Sequence, residues 1–150
     1  MTQHRETRHV PYSADRMYAI VADVAAYPKF LPWVTDLAIL SRESVKGREV
    51  LNARMSVGFS RFKESYVSRV VLDPQNRTVD VVQMEGPFRK LENHWRFVPD
   101  GEGCRIAFEI DFEFRNPLLN AVAGQAFGLV LLRMQDSFLE RARALSKQAS

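Results

Sequence analysis

Two neighbouring segments of the chain, residues 90–97 and 105–114, alternate between apolar and polar residues with a period of two. Successive side chains of a strand point to opposite faces, so this pattern predicts two strands with one buried and one solvent-exposed face. Residues 49–59 repeat it. Because only short turns separate such runs from about residue 34 to residue 115, the sequence predicts a mostly antiparallel meander. The inward positions of the last two strands would be Leu91, Asn93, Trp95, Phe97, Ile106, Phe108, Ile110, Phe112 and Phe114.

Helical segments flank this predicted sheet on both sides. After a first strand over residues 4–10, Ser13 is a candidate N-cap for a short helix that ends at Pro28. Residues 27–33 predict a second short helical turn. Asn116-Pro117 then begins a helix of about 30 residues, on the order of 45 Å long at 1.5 Å per residue. A helix of that length must lie across the whole sheet. One apolar stripe runs along it, formed by Leu119, Val122, Ala126, Phe127, Val130, Met134, Phe138 and Ala142.

These elements predict an α+β fold in which residues 1–150 form a single domain. We expect a curved antiparallel sheet of about six or seven strands, two short helices and a long C-terminal helix that together enclose a hydrophobic cavity. Gly124 and Gly128 in the middle of the long helix either make room for the cavity, at a cost of about 1 kcal/mol each relative to Ala, or mark close helix packing or a bend. From the pattern alone, plain core packing is the simpler interpretation of the inward aromatic and methionine side chains.

Composition excludes several classes of protein. The single Cys104 excludes an internal disulfide and a cysteine-based zinc site. The N-terminal residues lack the apolar segment of a secretory signal, and the apolar stretch at 118–132 is shorter than the roughly 20 residues of a membrane span. We therefore expect a cytoplasmic protein, with a peripheral location at the inner membrane left open. The net charge of +3 permits weak attraction to anionic lipid or RNA.

Motifs for catalysis or metal binding are absent from the sequence. No nucleophile elbow, zinc-protease helix, phosphate loop or EF-hand is present, and the histidines lie far apart. His94 falls on the predicted solvent face. Glu64 is the one carboxylate that could be buried, beside Tyr66 and Ser68, where it could bind a polar ligand head or act as an acid or base. We predict no catalytic residue, no metal and no catalytic cofactor, and no motif for DNA or RNA recognition accompanies the scattered basic residues.

Several short segments together resemble the coenzyme Q-binding family of the START-related, polyketide cyclase-like superfamily. The resemblance covers residues 4 to 145, and it rests on the order and spacing of the segments. They are Tyr27-Pro28-x-Phe30-Leu31-Pro32-Trp33, Val57-Gly58-Phe59, Glu64-x-Tyr66-x-Ser68-Arg69-Val70, Gly86-Pro87-Phe88-x-x-Leu91, Trp95-x-Phe97 and Asp111-Phe112-Glu113-Phe114-x-Asn116-Pro117-Leu118-Leu119.

The resemblance implies a helix-grip fold with a hydrophobic tunnel that binds ubiquinone or a related isoprenoid lipid. The protein would then be a carrier or chaperone in respiratory electron transfer, and not an enzyme. Mitochondrial members carry a targeting segment that this sequence lacks, so a bacterial member is expected. Bacterial relatives include ribosome-association toxins, and the wider superfamily includes cyclases and dehydratases, so ribosome binding and an enzyme using Glu64 or Tyr66 are the alternatives.

For the carrier we predict where a quinone would lie. The ring would contact aromatic and methionine side chains, the carbonyls would meet Tyr66, Ser68 or Asn93, and the tail would follow the long helix. The segment 27–33 would form the entrance and make transient membrane contact. The predicted ligand contacts are Phe30, Leu31, Trp33, Met55, Phe59, Tyr66, Ser68, Asn93, Trp95, Phe108, Phe112, Phe127, Val130, Leu131 and Met134, with Glu64 as a further contact to the polar head.

Overall fold

A computed structural model describes the backbone of residues 2–59 and 62–149 and the side chains of residues 3–58, 63–118, 120–121 and 133–146. Within this part of the chain, seven strands and three α-helices follow one another as the sequence predicted. Their bounds are β1 (Thr2–Val10), α1 (Ala14–Ala22), α2 (Tyr27–Phe30), β2 (Val34–Val45), β3 (Arg48–Phe59), β4 (Phe62–Asp73), β5 (Thr78–Glu85), β6 (Phe88–Asp100), β7 (Gly103–Phe114) and α3 (Pro117–Ala149).

The strands form one antiparallel sheet in the order β1-β7-β6-β5-β4-β3-β2. Strands β2 to β7 pair consecutively as hairpins, and β1 pairs with β7 over the whole of its length. Register shifts interrupt the ladders, for example between Val67 and Ser68 and between Phe88 and Lys90. Because such bulges bend a strand and increase its twist, they help to curve the sheet. The predicted antiparallel α+β architecture is confirmed, with seven strands.

Local chemistry explains the ends of the helices. The Ser13 hydroxyl accepts a hydrogen bond from the Arg16 amide at 3.1 Å, which caps α1 as predicted. At the start of α3, the Asn116 side-chain oxygen accepts from the Leu118 amide at 2.9 Å. Pro117 occupies the first helical position, where its missing N–H costs nothing. These contacts confirm the predicted starts of both helices.

The end of α1 differs from the prediction. The helix stops at Ala22, where Asp23 leaves the helical region, and a short 3-10 turn, Val24–Ala26, precedes α2. Pro28 therefore does not end α1 but lies in the first turn of α2. Proline is tolerated there because a first-turn amide has no intrahelical acceptor.

The hydrophobic core lies between the inner face of the sheet and the helices. The period-two prediction for β6 and β7 is confirmed, because Leu91, Trp95, Phe97 and the apolar positions of β7 are all buried. Helix α1 contributes Met17 and Val21, and α3 contributes Phe138 and Ala142. The other predicted positions of the α3 stripe, at residues 119–130, lie outside the described side chains.

Glycine is required at Gly103, where β7 begins. A Cβ atom at this position would lie 1.9 Å from the carbonyl oxygen of Val10, the last residue of β1. The backbones of β1 and β7 can therefore approach only because residue 103 has no side chain. This close pairing fixes β1 at the edge of the sheet.

Candidate functional site

A partly enclosed apolar cavity of about 120 Å³ lies between the inner face of the sheet and the α2 and α3 helices. Among the described residues, its wall is apolar or aromatic except for Asn93 and the tyrosine hydroxyls, and no carboxylate or basic group lines it. An apolar wall with a few polar groups is typical of sites for small hydrophobic molecules. The wall is formed by Tyr27, Leu31, Trp33, Val34, Met55, Val57, Tyr66, Val81, Leu91, Asn93, Trp95, Ile110, Met134 and Phe138.

Aromatic rings hold α2 against α3 at one side of the cavity. The Phe138 ring lies 5.5 Å from the Tyr27 ring, 5.4 Å from the Phe30 ring and 5.3 Å from the Trp95 ring, each in an edge-to-face arrangement. The Arg141 guanidinium covers the Phe30 ring at 5.3 Å. Since Tyr27 and Phe138 also line the cavity, the junction of α2 and α3 forms part of its wall.

The sheet side of the cavity carries two polar groups. The Tyr66 hydroxyl donates a weak hydrogen bond to the Met55 sulfur at 3.3 Å, and desolvation raises the pKa of Tyr66 to about 12. The Asn93 side-chain oxygen is buried without a hydrogen-bond partner. A ligand could therefore replace the weak contact between Tyr66 and Met55 with a stronger hydrogen bond, and it could donate a hydrogen bond to the unpaired Asn93 oxygen.

A third polar group of the wall already has a hydrogen-bond partner. The Tyr27 hydroxyl donates to the Val21 carbonyl oxygen, which ties α2 to the end of α1. Burial raises the pKa of Tyr27, so its hydroxyl stays protonated and this contact persists. Tyr27 is thus a structural residue of the wall rather than a donor for a ligand.

The structure brings together only part of the set of residues predicted as ligand contacts. Those on the cavity wall are Leu31, Trp33, Met55, Tyr66, Asn93, Trp95 and Met134. Phe30 lies outside the wall, against Phe138, whereas Ser68, Phe108 and Phe112 are buried in the core without lining the cavity. The Ser68 hydroxyl has no partner there. The side chains of Phe59, Phe127, Val130 and Leu131 lie outside the described residues.

Glu64 does not reach the cavity. It shares the inward register of Tyr66, but it is only half-buried and lines a separate open groove of about 400 Å³ with Thr35, Ser56 and Lys63. The reason is its position: Glu64 lies near the start of β4, opposite Val57 of β3, at the turn end of the hairpin, where the ladder closes at Phe59 and Phe62. The structure therefore does not place a carboxylate beside the Tyr66 hydroxyl within the cavity.

Sequence reasoning missed several residues of the wall. Val34, Val57, Val81, Leu91 and Ile110 are ordinary inward strand positions, and nothing in a period-two pattern separates them from plain core. Phe138 belonged to the predicted α3 stripe, but its place in the ring cluster depends on α2. Gln135 of α3 is also buried, and neither polar atom of its amide has a partner among the described residues. No sequence signal pointed to it.

A wider groove of about 530 Å³ lies between α1 and the β2–β3 hairpin, but it is open to solvent. Four charged side chains around it are paired, Arg42 with Glu49 and Arg48 with Asp73, and Asp23 also lines it. An apolar ligand bound in this groove would keep more of its surface in contact with water than one bound in the partly enclosed cavity. The cavity is therefore the stronger candidate for a hydrophobic ligand.

The described residues contain no group of three side chains suited to hold a metal ion. His94 lies on the outer face of the sheet, as predicted, where its Nδ1 atom is 2.7 Å from an Asp80 carboxylate oxygen. No serine, threonine or cysteine nucleophile is hydrogen-bonded to a histidine in this part of the chain, so a catalytic triad is not assembled there. Across the described residues, no helix meets the length and hydropathy of a membrane span.

A curved antiparallel sheet with a long C-terminal helix packed over an apolar cavity defines a helix-grip, START-like protein. The chain belongs to the family described as polyketide cyclase / dehydrase and lipid transport, whose profile matches residues 10–139. The fold is shared with a START superfamily protein from Mycobacterium smegmatis, with a TM-score of 0.81 and 23% identity over 95% of this chain and 98% of that one. The resemblance that the sequence predicted is confirmed.

Two kinds of relative are similar to the chain over most of its length. The Ribosome association toxin RatA of Escherichia coli is 38% identical over 144 residues, which are 95% of this chain and 88% of the relative. The mitochondrial Coenzyme Q-binding protein COQ10 of Drosophila melanogaster is 33% identical over 141 residues, which are 91% of this chain and 57% of the relative. These names point to a bound lipid in one case and to the ribosome in the other.

Proposed function

We propose that the protein carries a hydrophobic small molecule in the partly enclosed cavity, and that this molecule is ubiquinone or a related isoprenoid lipid. The observation that carries the proposal is the cavity wall, which is apolar and aromatic with two under-used polar groups, Tyr66 and Asn93. The Coenzyme Q-binding relative supports the choice of ligand. Because the described residues beside the cavity include no catalytic set, the proposed role is that of a carrier and not of a catalyst.

The isoprenoid tail would supply most of the binding free energy, since each buried methylene contributes roughly 0.8 kcal/mol. A quinone carbonyl would accept a hydrogen bond from the Tyr66 hydroxyl, and the unpaired Asn93 oxygen would accept one from a hydroxyl of the reduced quinol. We place the tail along α3, past Met134 and the sequence positions Phe127, Val130 and Leu131. A tail bound there needs few polar contacts, which fits the sparse polar groups of the wall.

The cavity must widen to accept such a ligand. Its volume of about 120 Å³ is below the roughly 300–1,000 Å³ of ordinary ligand pockets. The sheet side is fixed by hydrogen-bonded ladders, whereas among the described residues the four-residue helix α2 meets α3 only through side chains. We therefore propose that the ligand enters between α2 and α3, next to Leu31 and the half-buried Trp33.

Intrinsic fluorescence gives a direct binding test, because the only two tryptophans of the chain, Trp33 and Trp95, both line the cavity. Titration with ubiquinone should quench their emission to saturation at one molecule per chain. A Trp33→Phe variant should retain the quenching through Trp95 alone. Emission that does not respond, together with no ubiquinone retained after gel filtration, would contradict the carrier proposal.

Removing the Tyr66 hydroxyl should weaken quinone binding without unfolding the protein. For Tyr66→Phe we expect a loss of affinity of about 5- to 10-fold, since a hydrogen bond contributes about 1 kcal/mol. Tyr18→Phe is the matched control, because Tyr18 is a second partly buried tyrosine whose pKa is also raised to about 12 but which lies outside the cavity wall. Equal effects of the two substitutions would remove Tyr66 from the site.

Binding should not depend on pH across the range in which an ordinary tyrosine ionises. The Tyr66 pKa is raised from 10.0 to about 12, so its hydroxyl remains a donor where a free phenol is half ionised. The dissociation constant for ubiquinone should therefore stay constant from about pH 6 to about pH 10. A weakening with a midpoint near pH 10 would show that Tyr66 is exposed to water.

Transient membrane contact is proposed for the segment around α2. Phe30, Leu31 and Trp33 are the apolar side chains nearest the proposed entrance, and Trp is favoured at membrane interfaces. Trp33→Ala should reduce the fraction of protein that floats with liposomes. An unchanged fraction would exclude Trp33 from the contact.

Ribosome association is the second candidate function. It is favoured by the similarity to the ribosome association toxin, which extends over 95% of this chain and 88% of that protein. Sedimentation of the purified chain with ribosomal subunits at low and high salt tests it. Co-sedimentation that salt abolishes would support association, and absence of the chain from the ribosomal fractions at low salt would contradict it.

A further inference from the structure

The outer face of the sheet, opposite the cavity, is electrostatically divided. Its β6–β7 half carries a group of acidic residues, Glu92, Glu109, Asp111 and Glu113. On its β3–β4 half, the described outward positions from residue 50 to residue 71 are basic, polar or apolar; the nearest acids on these strands are Asp73, paired with Arg48 at the far end, and Glu64, which lines a groove with Ser56 and Lys63. In order, these outward positions are Val50, Asn52, Arg54, Ser56 and Gly58 on β3, and Lys63, Ser65, Val67, Arg69 and Val71 on β4.

Among the four described cations at outward positions of β3 and β4, Arg48 is paired with Asp73 and the other three are free of ion pairs. Arg54, Lys63 and Arg69 are all exposed, and none has a carboxylate within 4.0 Å. On the β6–β7 half, by contrast, the Lys90 ammonium lies 2.8 Å from an Asp111 carboxylate oxygen, which compensates its positive charge. We use the term β3–β4 cationic strip for Arg54, Lys63, Arg69 and the polar side chains between them.

The register arranges these cations along one line. Arg54 faces Val67 and Arg69 faces Asn52, so the two arginines are diagonal neighbours, about 5 to 8 Å apart at their Cβ atoms. Lys63 lies six residues before Arg69 on the same face, roughly 20 Å away along the strand. Together with the hydroxyls and amide between them, the cations form a narrow track of hydrogen-bond donors.

Polar side chains occupy the space between the cations. The hydroxyl oxygens of Ser56 and Ser65 lie 2.8 Å apart, and the Asn52 side-chain amide donates to the Ser41 hydroxyl at 2.8 Å. Hydroxyl and amide groups of this kind bind phosphate oxygens readily alongside arginine. No aromatic side chain occurs at the outward positions of the described β3 and β4 residues, so stacking on bases is not provided there.

We propose that the β3–β4 cationic strip binds the phosphodiester backbone of a single RNA strand, which rests on and deepens the proposed ribosome association. Acidic residues bound the strip on both sides: Asp36 of β2 faces Ser56, and Glu85 of β5 faces Val67. They leave room for one line of phosphates and repel a second. A protein partner is less suited to the strip, because protein interfaces need an apolar centre that a polar, charged track does not offer.

Fluorescence anisotropy with a labelled oligouridylate of about 20 nucleotides tests the strip on the full chain. Affinity should fall with salt between about 25 and about 200 mM, with a slope of about 0.7 per phosphate contacted. The double variant Arg54→Gln/Arg69→Gln should bind about 10-fold more weakly and lower that slope by about 1.4. Circular dichroism should show both proteins folded, since the two arginines are exposed.

A second double variant, Arg5→Gln/Arg96→Gln, is the matched control. It also removes two positive charges from the outer face, but from β1 and β6, beside the acidic residues of the β6–β7 half. Its affinity should stay within about 2-fold of the unmodified chain. Equal losses in the two double variants, no binding of oligouridylate at low salt, or equally tight binding of poly-glutamate of matching length would each overturn the proposal.

Ribosome sedimentation separates the strip from the association on which it rests. If the chain sediments with ribosomal subunits and Arg54→Gln/Arg69→Gln does not, both proposals stand. Sedimentation that the variant leaves unchanged would overturn the strip while the association survives. If the chain does not sediment at all, the association fails, and the strip is decided by the oligouridylate measurements alone.

Discussion

Replacing Val81 by Trp should abolish ubiquinone binding, with a loss of affinity of more than about 100-fold. Val81 is a half-buried residue of β5 on the cavity wall, and its cross-strand neighbours there are Val70 and Asn93. An indole at this position would occupy much of a cavity of about 120 Å³. Binding is measured by equilibrium retention of ubiquinone on gel filtration, because the added tryptophan would confuse fluorescence.

The neighbouring Val82 offers a matched control. It lies on the same strand but on the outer face, where it is 40% exposed. Val82→Trp should therefore bind ubiquinone as the unmodified chain does. Overpacking costs about 1–3 kcal/mol, so Val81→Leu serves as a milder change with an intermediate loss of affinity. A folded Val81→Trp protein with undiminished affinity would place the ligand elsewhere.

Truncating Phe138 should have the largest effect on stability. This ring contacts Tyr27, Phe30 and Trp95 and is 2% exposed, so it joins α3 to α2 and to the sheet. Phe138→Ala should lower the free energy of unfolding by about 3–5 kcal/mol in urea denaturation. It should also loosen the side of the cavity that α2 and α3 form together.

The control for this change lies on the same helix. Leu118 is 75% exposed, so Leu118→Ala should alter the free energy of unfolding by less than about 0.5 kcal/mol. A loss below about 1 kcal/mol for Phe138→Ala would mean that the ring cluster does not hold α3 in place.

The architecture was predictable because local signals and tertiary packing agree. Alternation in residues 90–97 and 105–114 identified the buried face of β6 and β7, and Asn116-Pro117 marked the start of α3. The end of α1 was wrong because Asp23 leaves the helical conformation for local reasons before Pro28 is reached. A proline sets the latest position at which the preceding helix can end, but it does not determine the residue at which the helix does end.

The cavity was less predictable than the fold. A period of two tells which face a side chain occupies, but not whether it meets empty space or another side chain. Phe108, Phe112 and Trp95 share one inward pattern, yet only Trp95 lines the cavity. Tyr27 was known only as part of a motif, and its hydrogen bond to Val21 depends on the path of the chain between α1 and α2.

The position of Glu64 bears on the enzyme alternative. An acid or base acting on a ligand in the cavity must come within hydrogen-bond reach of it. Glu64 lines a separate groove, and desolvation keeps the Tyr66 hydroxyl protonated by raising its pKa to about 12. The geometry therefore supports a binding role for Tyr66, and the part of the cavity wall that the structure describes holds no pair of groups for proton transfer.

Carrier and ribosome functions use opposite faces of the sheet in this account. The cavity lies on the inner face with Tyr66 and Asn93, and the cationic strip lies on the outer face with Arg54 and Arg69. Substitutions on one face should therefore leave binding at the other unchanged. This separation allows the two proposals to be tested independently in the same protein.

Native mass spectrometry of the chain purified from a ubiquinone-producing host tests the central claim most directly. We expect a species heavier than the chain by one ubiquinone, near one molecule per chain, whose lipid is released and identified by organic extraction. This species should be missing from Val81→Trp and present in Val82→Trp. A chain that carries no lipid, takes up no added ubiquinone and behaves identically in both variants would contradict the carrier proposal.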